Sequence, residues 1–116
     1  MSIVKQSDLV FTIGLDADNV PSQITWTATD MPNGGTQQSC KAMLISLFDE
    51  KTRDTLKIDL WTKDLETQEM DRMMYQTLRA LGDTYHRATK NTELANAMQQ
   101  FAQYFGEQAE IIKKQV

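Results

Sequence analysis

The sequence predicts an α+β fold: a small antiparallel β-sheet, made of an N-terminal hairpin plus a third strand, packed against helices and followed by a C-terminal antiparallel helix pair. Three observations carry this. Residues 7–15 and 22–29 alternate apolar and polar across a turn signal. Residues 55–61 alternate again. From residue 67 onward the apolar residues recur at helical spacing. Period two is the mark of a half-buried strand and period 3.6 that of an amphipathic helix. The 116 residues suffice for one domain, 1–116, with one core.

In the first strand Leu9, Phe11, Ile13 and Leu15 share a face, with Val10, Thr12 and Gly14 opposite. Asp16-Ala17-Asp18-Asn19 reads as a turn, because Asp and Asn bond their own backbone and tolerate left-handed dihedrals. Val20 before Pro21 keeps the exit extended. In the second strand Ile24, Trp26 and Ala28 face one way, and Thr25, Thr27 and Thr29 the other. Met31-Pro32-Asn33-Gly34-Gly35 reads as a flexible loop.

Residues 37–49 admit two readings. Cys40, Met43, Leu44, Leu47 and Phe48 fit a helical stripe with Thr36 as N-cap. The same residues could form a buried strand leading into a hairpin with 55–61. Gln37, Gln38, Lys41 and Ser46 fall away from the stripe, which favours helix; Ile45 fits it badly.

Asp49 to Asp54 is a charged connection, and Leu56, Ile58 and Leu60 then alternate with Lys57, Asp59, Trp61 and Lys63. Asp64 or Thr67 is expected to cap a long helix over about 67–89. Its stripe is Met70, Met73, Met74, Thr77, Leu78, Leu81, Tyr85 and Ala88. Asn91 or Thr92 caps the next helix, which carries Leu94, Ala97, Met98, Phe101, Phe105 and Ile112. Gly106 should weaken that helix by ~1 kcal/mol against Ala. The short connection makes the helices antiparallel neighbours. Lys113 to Val116 should fray.

Hydrophobic content of 41% and charged content of 24% are ordinary for a globular protein. A net charge of -4 disfavours an electrostatic grip on nucleic acid or anionic lipid. The single cysteine, Cys40, excludes an intrachain disulfide. No secretory leader and no spanning apolar run appears, so a cytoplasmic protein is expected, with membrane contact only through a partner.

Chemistry is sparse. His86 is the only histidine, near the end of the long helix, where a cation suits the helix dipole. A structural or surface role outweighs a general base or a zinc ligand. Cys40 lies on the apolar stripe and reads as a small buried hydrophobe. Asp54, Asp59 and Asp64 alternate faces on a strand and cannot converge as a metal cage without help from a loop. Asp16 and Asp18 hint at a calcium loop, but Pro21 and strand residues follow, so turn chemistry is the better reading. Gly34-Gly35 lacks a phosphate-loop ending. No catalytic residue, cofactor or metal is expected. The cluster Met70, Met73 and Met74 reads first as a packing face and second as an adaptable groove.

Trp61 stands out: an indole among charges on the outward face of a strand is either covered or a contact surface. If strand 55–61 joined the hairpin sheet, its outer face would carry Val10, Thr12, Thr25, Thr27, Asp59 and Trp61. The candidate partner-binding residues are Trp61, Asp59, Lys63, Thr25 and Thr27.

Ile58-Asp59-Leu60-Trp61-Thr62-Lys63-Asp64, preceded by Ala42 to Asp49, resembles the gliding motility-associated protein GldC family of Bacteroidetes. Leu15-Asp16, Val20-Pro21, Ile24 and Trp26 resemble that family's first hairpin. Gln76-Thr77-Leu78, Asp83-Thr84-Tyr85, Ala88-Thr89 and Phe101 to Phe105 resemble its helices. Phe48 stands where Trp is common, and Leu65 where Met is common. The resemblance implies a small accessory protein of surface gliding, coupled to type IX secretion, without catalytic activity or cofactor. The expected role is a non-enzymatic adaptor contacting a protein of the gliding or secretion machinery, or a second copy of itself. A chaperone-like holdase for secreted or motility components is the alternative, and a small-ligand-binding domain or enzyme ranks third.

Overall fold

The computed structural model describes residues 2–31 and 35–114, in two compact units, Met1–Leu65 and Glu66–Val116. Pro32, Asn33 and Gly34 of the expected loop, and Gln115 and Val116 of the expected frayed tail, lie outside the described residues.

In the first unit, β1 (Leu9–Leu15) and β2 (Pro21–Ala28) pair antiparallel from Leu9 opposite Ala28 to Ile13 opposite Ile24, with an irregularity at Gly14 and Leu15. Asp16 makes the turn. Its carboxylate accepts the N–H groups of Asp18 (2.8 Å) and Val20 (3.1 Å), and Asn19 adopts φ 61°. A short third strand, β3 (Gln38–Cys40), pairs antiparallel with β2, Cys40 opposite Ile24. Register and alternation put Phe11, Ile13, Ile24, Trp26 and Cys40 on one face, and Ile24 is fully buried.

The helix favoured for 37–49 does not form. One residue after β3, at Lys41, the chain enters β4 (Ala42–Phe48), which pairs antiparallel with β5 (Thr55–Trp61) in a separate two-stranded sheet. The third strand of the first sheet is therefore 38–40 and not 55–61. The reason is visible in the register. Met43, Ile45 and Leu47 stand opposite Leu60, Ile58 and Leu56, so aliphatic meets aliphatic at each step. Ile45, the misfit of the helical stripe, sits at the centre of that ladder. A short apolar run fits either period, and the ladder decides for strand. Asp49 closes the hairpin: its carboxylate accepts Lys51 N–H (3.0 Å) and Thr52 N–H (2.7 Å), and Arg53 turns at φ 61°.

Thr62 and Lys63 tie the two sheets together. Thr62 N–H donates to the carbonyl of Lys41 (2.8 Å), the corner between β3 and β4. Lys63 N–H donates to the carbonyl of Pro21 (3.1 Å), the first residue of β2. The Thr62 side chain is 3% exposed, and its hydroxyl lies between the Lys41 carbonyl and the Asp64 carboxylate.

In the second unit, α1 (Thr67–Thr89) and α2 (Thr92–Gln108) form a helical hairpin. Neither Asp64 nor Thr67 is the N-cap of α1. Glu66 is, with Glu69 reaching back to its N–H (3.0 Å), while Asp64 serves Thr62. Lys90 ends α1 at φ 62°, and Asn91 caps α2 by accepting Leu94 N–H (3.1 Å). The buried residues of α2 are Ala95, Ala102 and Gly106, whereas Leu94 and Phe101 of the predicted stripe are exposed. Helix contact thus uses a seam of small residues. A Cβ on Gly106 would lie 2.7 Å from the Tyr75 ring, so this glycine permits close approach as well as costing helix propensity. Ile112 lies beyond α2, its N–H on the Gly106 carbonyl (3.2 Å).

Two substitutions check this packing. Thr62→Val keeps shape and removes the hydroxyl; it should lower urea-unfolding stability by about 1 kcal/mol. Gly106→Ala gains ~1 kcal/mol of helix propensity but forces the Tyr75 ring aside at ~1–3 kcal/mol. The net expectation is a lower thermal midpoint, where an exposed helix glycine replaced by Ala would raise it.

Candidate functional site

The β4–β5 hairpin presents two unlike faces. Alternation puts Ala42 and Trp61, Leu44 and Asp59, Ser46 and Lys57, and Phe48 and Thr55 in cross-strand rows on one of them. Trp61 is 51% exposed and Phe48 is 69% exposed. Two large aromatics therefore sit open at opposite ends of a face whose middle is charged. Lys57 Nζ lies 3.9 Å from Asp59 Oδ2, a solvated pair two residues apart on one strand.

The other face carries the aliphatic ladder, and here the expectation of an inward-facing row needs correction. Leu56 is 59% exposed and Ile58 39%; only Leu60 is half-buried. Burial falls away toward the Asp49 turn. A two-stranded ribbon has no neighbouring strand to shelter its far end. The indole is thus exposed, but so are most of the aliphatics expected to anchor the strand.

The five predicted residues divide between the sheets. Trp61 and Asp59 belong to β5. Thr25 and Thr27 belong to β2, in the other sheet, opposite Thr12 and Val10, with Thr25 also opposite Ser39. The composite face expected from a single sheet is not assembled. Lys63 lies just past β5 with its ammonium on Asp16 Oδ2 (3.0 Å), so it is engaged with the β1–β2 turn. Sequence reasoning passed over Phe48 and did not select Lys57. The near-continuous apolar run of Ala42 to Phe48, set against the alternating 55–61 across a charged turn, was the available signal for both.

Three carboxyls are held below their usual range. Asp16 is lowered by the N–H of Val20, then by Lys63 and the N–H of Asp18. Asp49 is lowered by the N–H groups of Thr52 and Lys51. Asp64 is lowered chiefly by the Thr62 hydroxyl. Each bonds its own turn or corner, so these charges are structural. Cys40 is half-buried beside Lys41 in a shallow hollow that includes Thr62 and Asp64. His86 Nε2 lies 3.1 Å from Thr92 Oγ1 and bridges the end of α1 to the start of α2. Among the described residues no group of three His, Cys, Asp or Glu side chains could hold a metal ion, and no helix is long and apolar enough to cross a membrane.

The helical unit has a second open feature. Leu78, Tyr85, Leu94, Ala97, Met98 and Phe101 line an apolar groove along the α1–α2 pair. Across the pair, Gln99 Nε2 donates to the Arg79 carbonyl (3.1 Å) and to Asp83 Oδ1 (3.1 Å).

A family model described as gliding motility-associated protein GldC-like matches residues 21–111. No curated protein and no solved structure matches the chain. The matched span runs from the first residue of β2 into the turn after α2, so it includes the whole β4–β5 hairpin and both helices.

The Asp16 charge has a testable pH signature. Its folded pKa lies below the ordinary 3.8, so its contribution is present above that value and lost as pH falls through the folded pKa. Asp16→Asn should lower the urea midpoint at neutral pH. The gap to the parent protein should close as pH falls below the ordinary carboxylate range and through the lowered folded pKa.

Proposed function

Because the chain belongs to the GldC-like family of gliding motility-associated proteins, we propose that it is a non-enzymatic accessory protein of gliding that works in the cytoplasm through protein–protein contact. Its setting is the gliding machinery and the type IX secretion system coupled to it, and any membrane contact runs through that partner. The observation that supports this reading most is the half-exposed Trp61 indole beside Asp59 on a two-stranded ribbon. Trp is enriched among residues that dominate interface energy, and flanking charges set orientation more than affinity. The chemistry needed for catalysis finds little support: His86 is engaged with Thr92, and the lowered carboxyls serve turns.

A holdase role rests on a different feature, the apolar groove of Leu78, Tyr85, Leu94, Met98 and Phe101. A holdase would use that groove and leave the β4–β5 ribbon indifferent. An adaptor would do the reverse.

Trp61→Ala separates the two. Capture from a gliding bacterium, with a photocrosslinker at position 61, should retain a defined protein of the motility apparatus. Trp61→Ala should weaken that capture by ~2 kcal/mol or more, about 30-fold, with folding intact. Unchanged capture by Trp61→Ala, together with loss on Phe101→Ala, would move the function to the helical groove.

A further inference from the structure

The open edge of β5 has a pairing code of its own. Thr62 N–H bonds the Lys41 carbonyl on the β4 side. Alternation then turns the main-chain groups of Leu60, Ile58 and Leu56 toward β4, and those of Trp61, Asp59, Lys57 and Thr55 toward the opposite edge. Lys63 N–H obeys the same alternation: it leaves on that opposite edge, where Pro21 accepts it. Among the described residues no strand forms a ladder with β5 on this side, and β2 approaches it only at the Trp61 end, through Pro21. The edge is seven residues long and has neither proline nor bulge; of the usual devices against edge pairing it carries charge alone, at Lys57 and Asp59.

We propose that this edge is a homodimer interface, in which β5 of one copy pairs antiparallel with β5 of a second copy about a two-fold axis at Ile58. The inference rests on the reading of this ribbon as a contact surface and names the partner as the chain itself. The register follows from charge. Only odd-numbered residues offer edge groups, so odd must face odd. A two-fold axis at Lys57 sets Lys57 against itself, and an axis at Asp59 sets Asp59 against itself. An axis at Ile58 sets Lys57 against Asp59 twice, and it is the one register that pairs all seven residues. Opposite charges directly across a sheet attract and like charges repel.

The same register pairs Leu56 with Leu60 and Ile58 with Ile58 at the close, non-hydrogen-bonded positions, where side chains touch best. Half the aliphatic ladder that water now meets would gain a neighbour. On the other face Trp61 of one copy falls opposite Thr55 of the other, in one row with Phe48. The exposed aromatics of the ribbon then flank a single threonine. A closed two-fold pair also removes the hazard of an open edge, since a self-matched edge terminates after two copies.

Sedimentation of the full chain should show a monomer–dimer equilibrium by about 0.1 mM. Lys57→Asp or Asp59→Lys should each weaken it about 10-fold or more, and the double variant Lys57→Asp, Asp59→Lys should restore it. In a Cys40→Ala background, Ile58→Cys should form an intermolecular disulfide on oxidation. Lys57→Cys should not, because two copies of position 57 lie diagonally, at about the 7 Å limit for bridging or beyond. A chain that stays monomeric, a charge swap that fails to restore the dimer, or position 57 crosslinking as readily as 58 would each overturn the proposal. A monomer that still loses its motility partner on Trp61→Ala would sink the dimer alone and leave the adaptor reading standing.

Discussion

Two consecutive amide groups hold the β unit together. The N–H of Thr62 reaches the corner at Lys41, and the N–H of Lys63 reaches the start of β2 at Pro21. Successive amides on an extended chain point in opposite directions, so residues 62 and 63 can serve two sheets at once. The side chains repeat the pattern. Thr62 shares its hydroxyl between Lys41 and Asp64, and Lys63 reaches back to Asp16 in the β1–β2 turn. Thr62 is also the one buried polar side chain among the described residues, and its hydrogen bonds are what make that burial tolerable. Besides this junction, the chain itself passes from sheet β1-β2-β3 to ribbon β4-β5 at Lys41.

That arrangement explains where the exposed rows of the ribbon lie. The ribbon is anchored at its Trp61 end, where Thr62 and Lys63 fasten it, and open at its Asp49 end. Exposure of the aliphatic ladder grows along the same direction, from half-buried Met43 and Leu60 to exposed Leu47 and Leu56. A protein that leaves such rows in water gives up burial worth ~25 cal/mol per Å² of apolar surface. Contiguous exposure of this kind marks interaction surfaces more often than scattered apolar residues do. Trp61 sits at the fastened end, so its position is defined by the junction while its ring remains available.

The helical unit follows a different logic. Its two helices meet through Ala95, Ala102 and Gly106, with Gln99 bridging to Arg79 and Asp83. Small residues let the backbones approach, and the larger Leu, Met and Phe side chains then fall to the flank, where they line a groove. The hydrophobic stripe read from spacing is real, but it is the flank and not the seam.

Much of this was legible in the residues. The hairpin of β1 and β2, the Asp16 turn, strand 55–61, the span 67–89 and the Asn91 cap all follow from local causes: alternation, Asx bonding, helical period and capping. The GldC-like family was also legible, in Ile58 to Asp64 above all. The exposed state of Trp61 was one of two open alternatives, and Thr25 and Thr27 were joined to it on a single-sheet assumption. Tertiary structure decided three matters. It made 38–40 and 42–48 strands, because hydrogen bonds to β2 and β5 outweighed a helical stripe that a short apolar run satisfies equally well. It gave β5 to a ribbon and not to the first sheet, because one residue, Lys41, turns the chain between them. It chose small residues for the helix seam, because closeness of approach depends on the facing helix. Sequence alone determined what each segment would be wherever the cause lay within the segment. Which segment met which was settled by bonds between residues far apart in the chain, as from Gln99 to Arg79 (20), Thr62 to Lys41 (21) and Lys63 to Asp16 (47), and spacing along the chain does not record those.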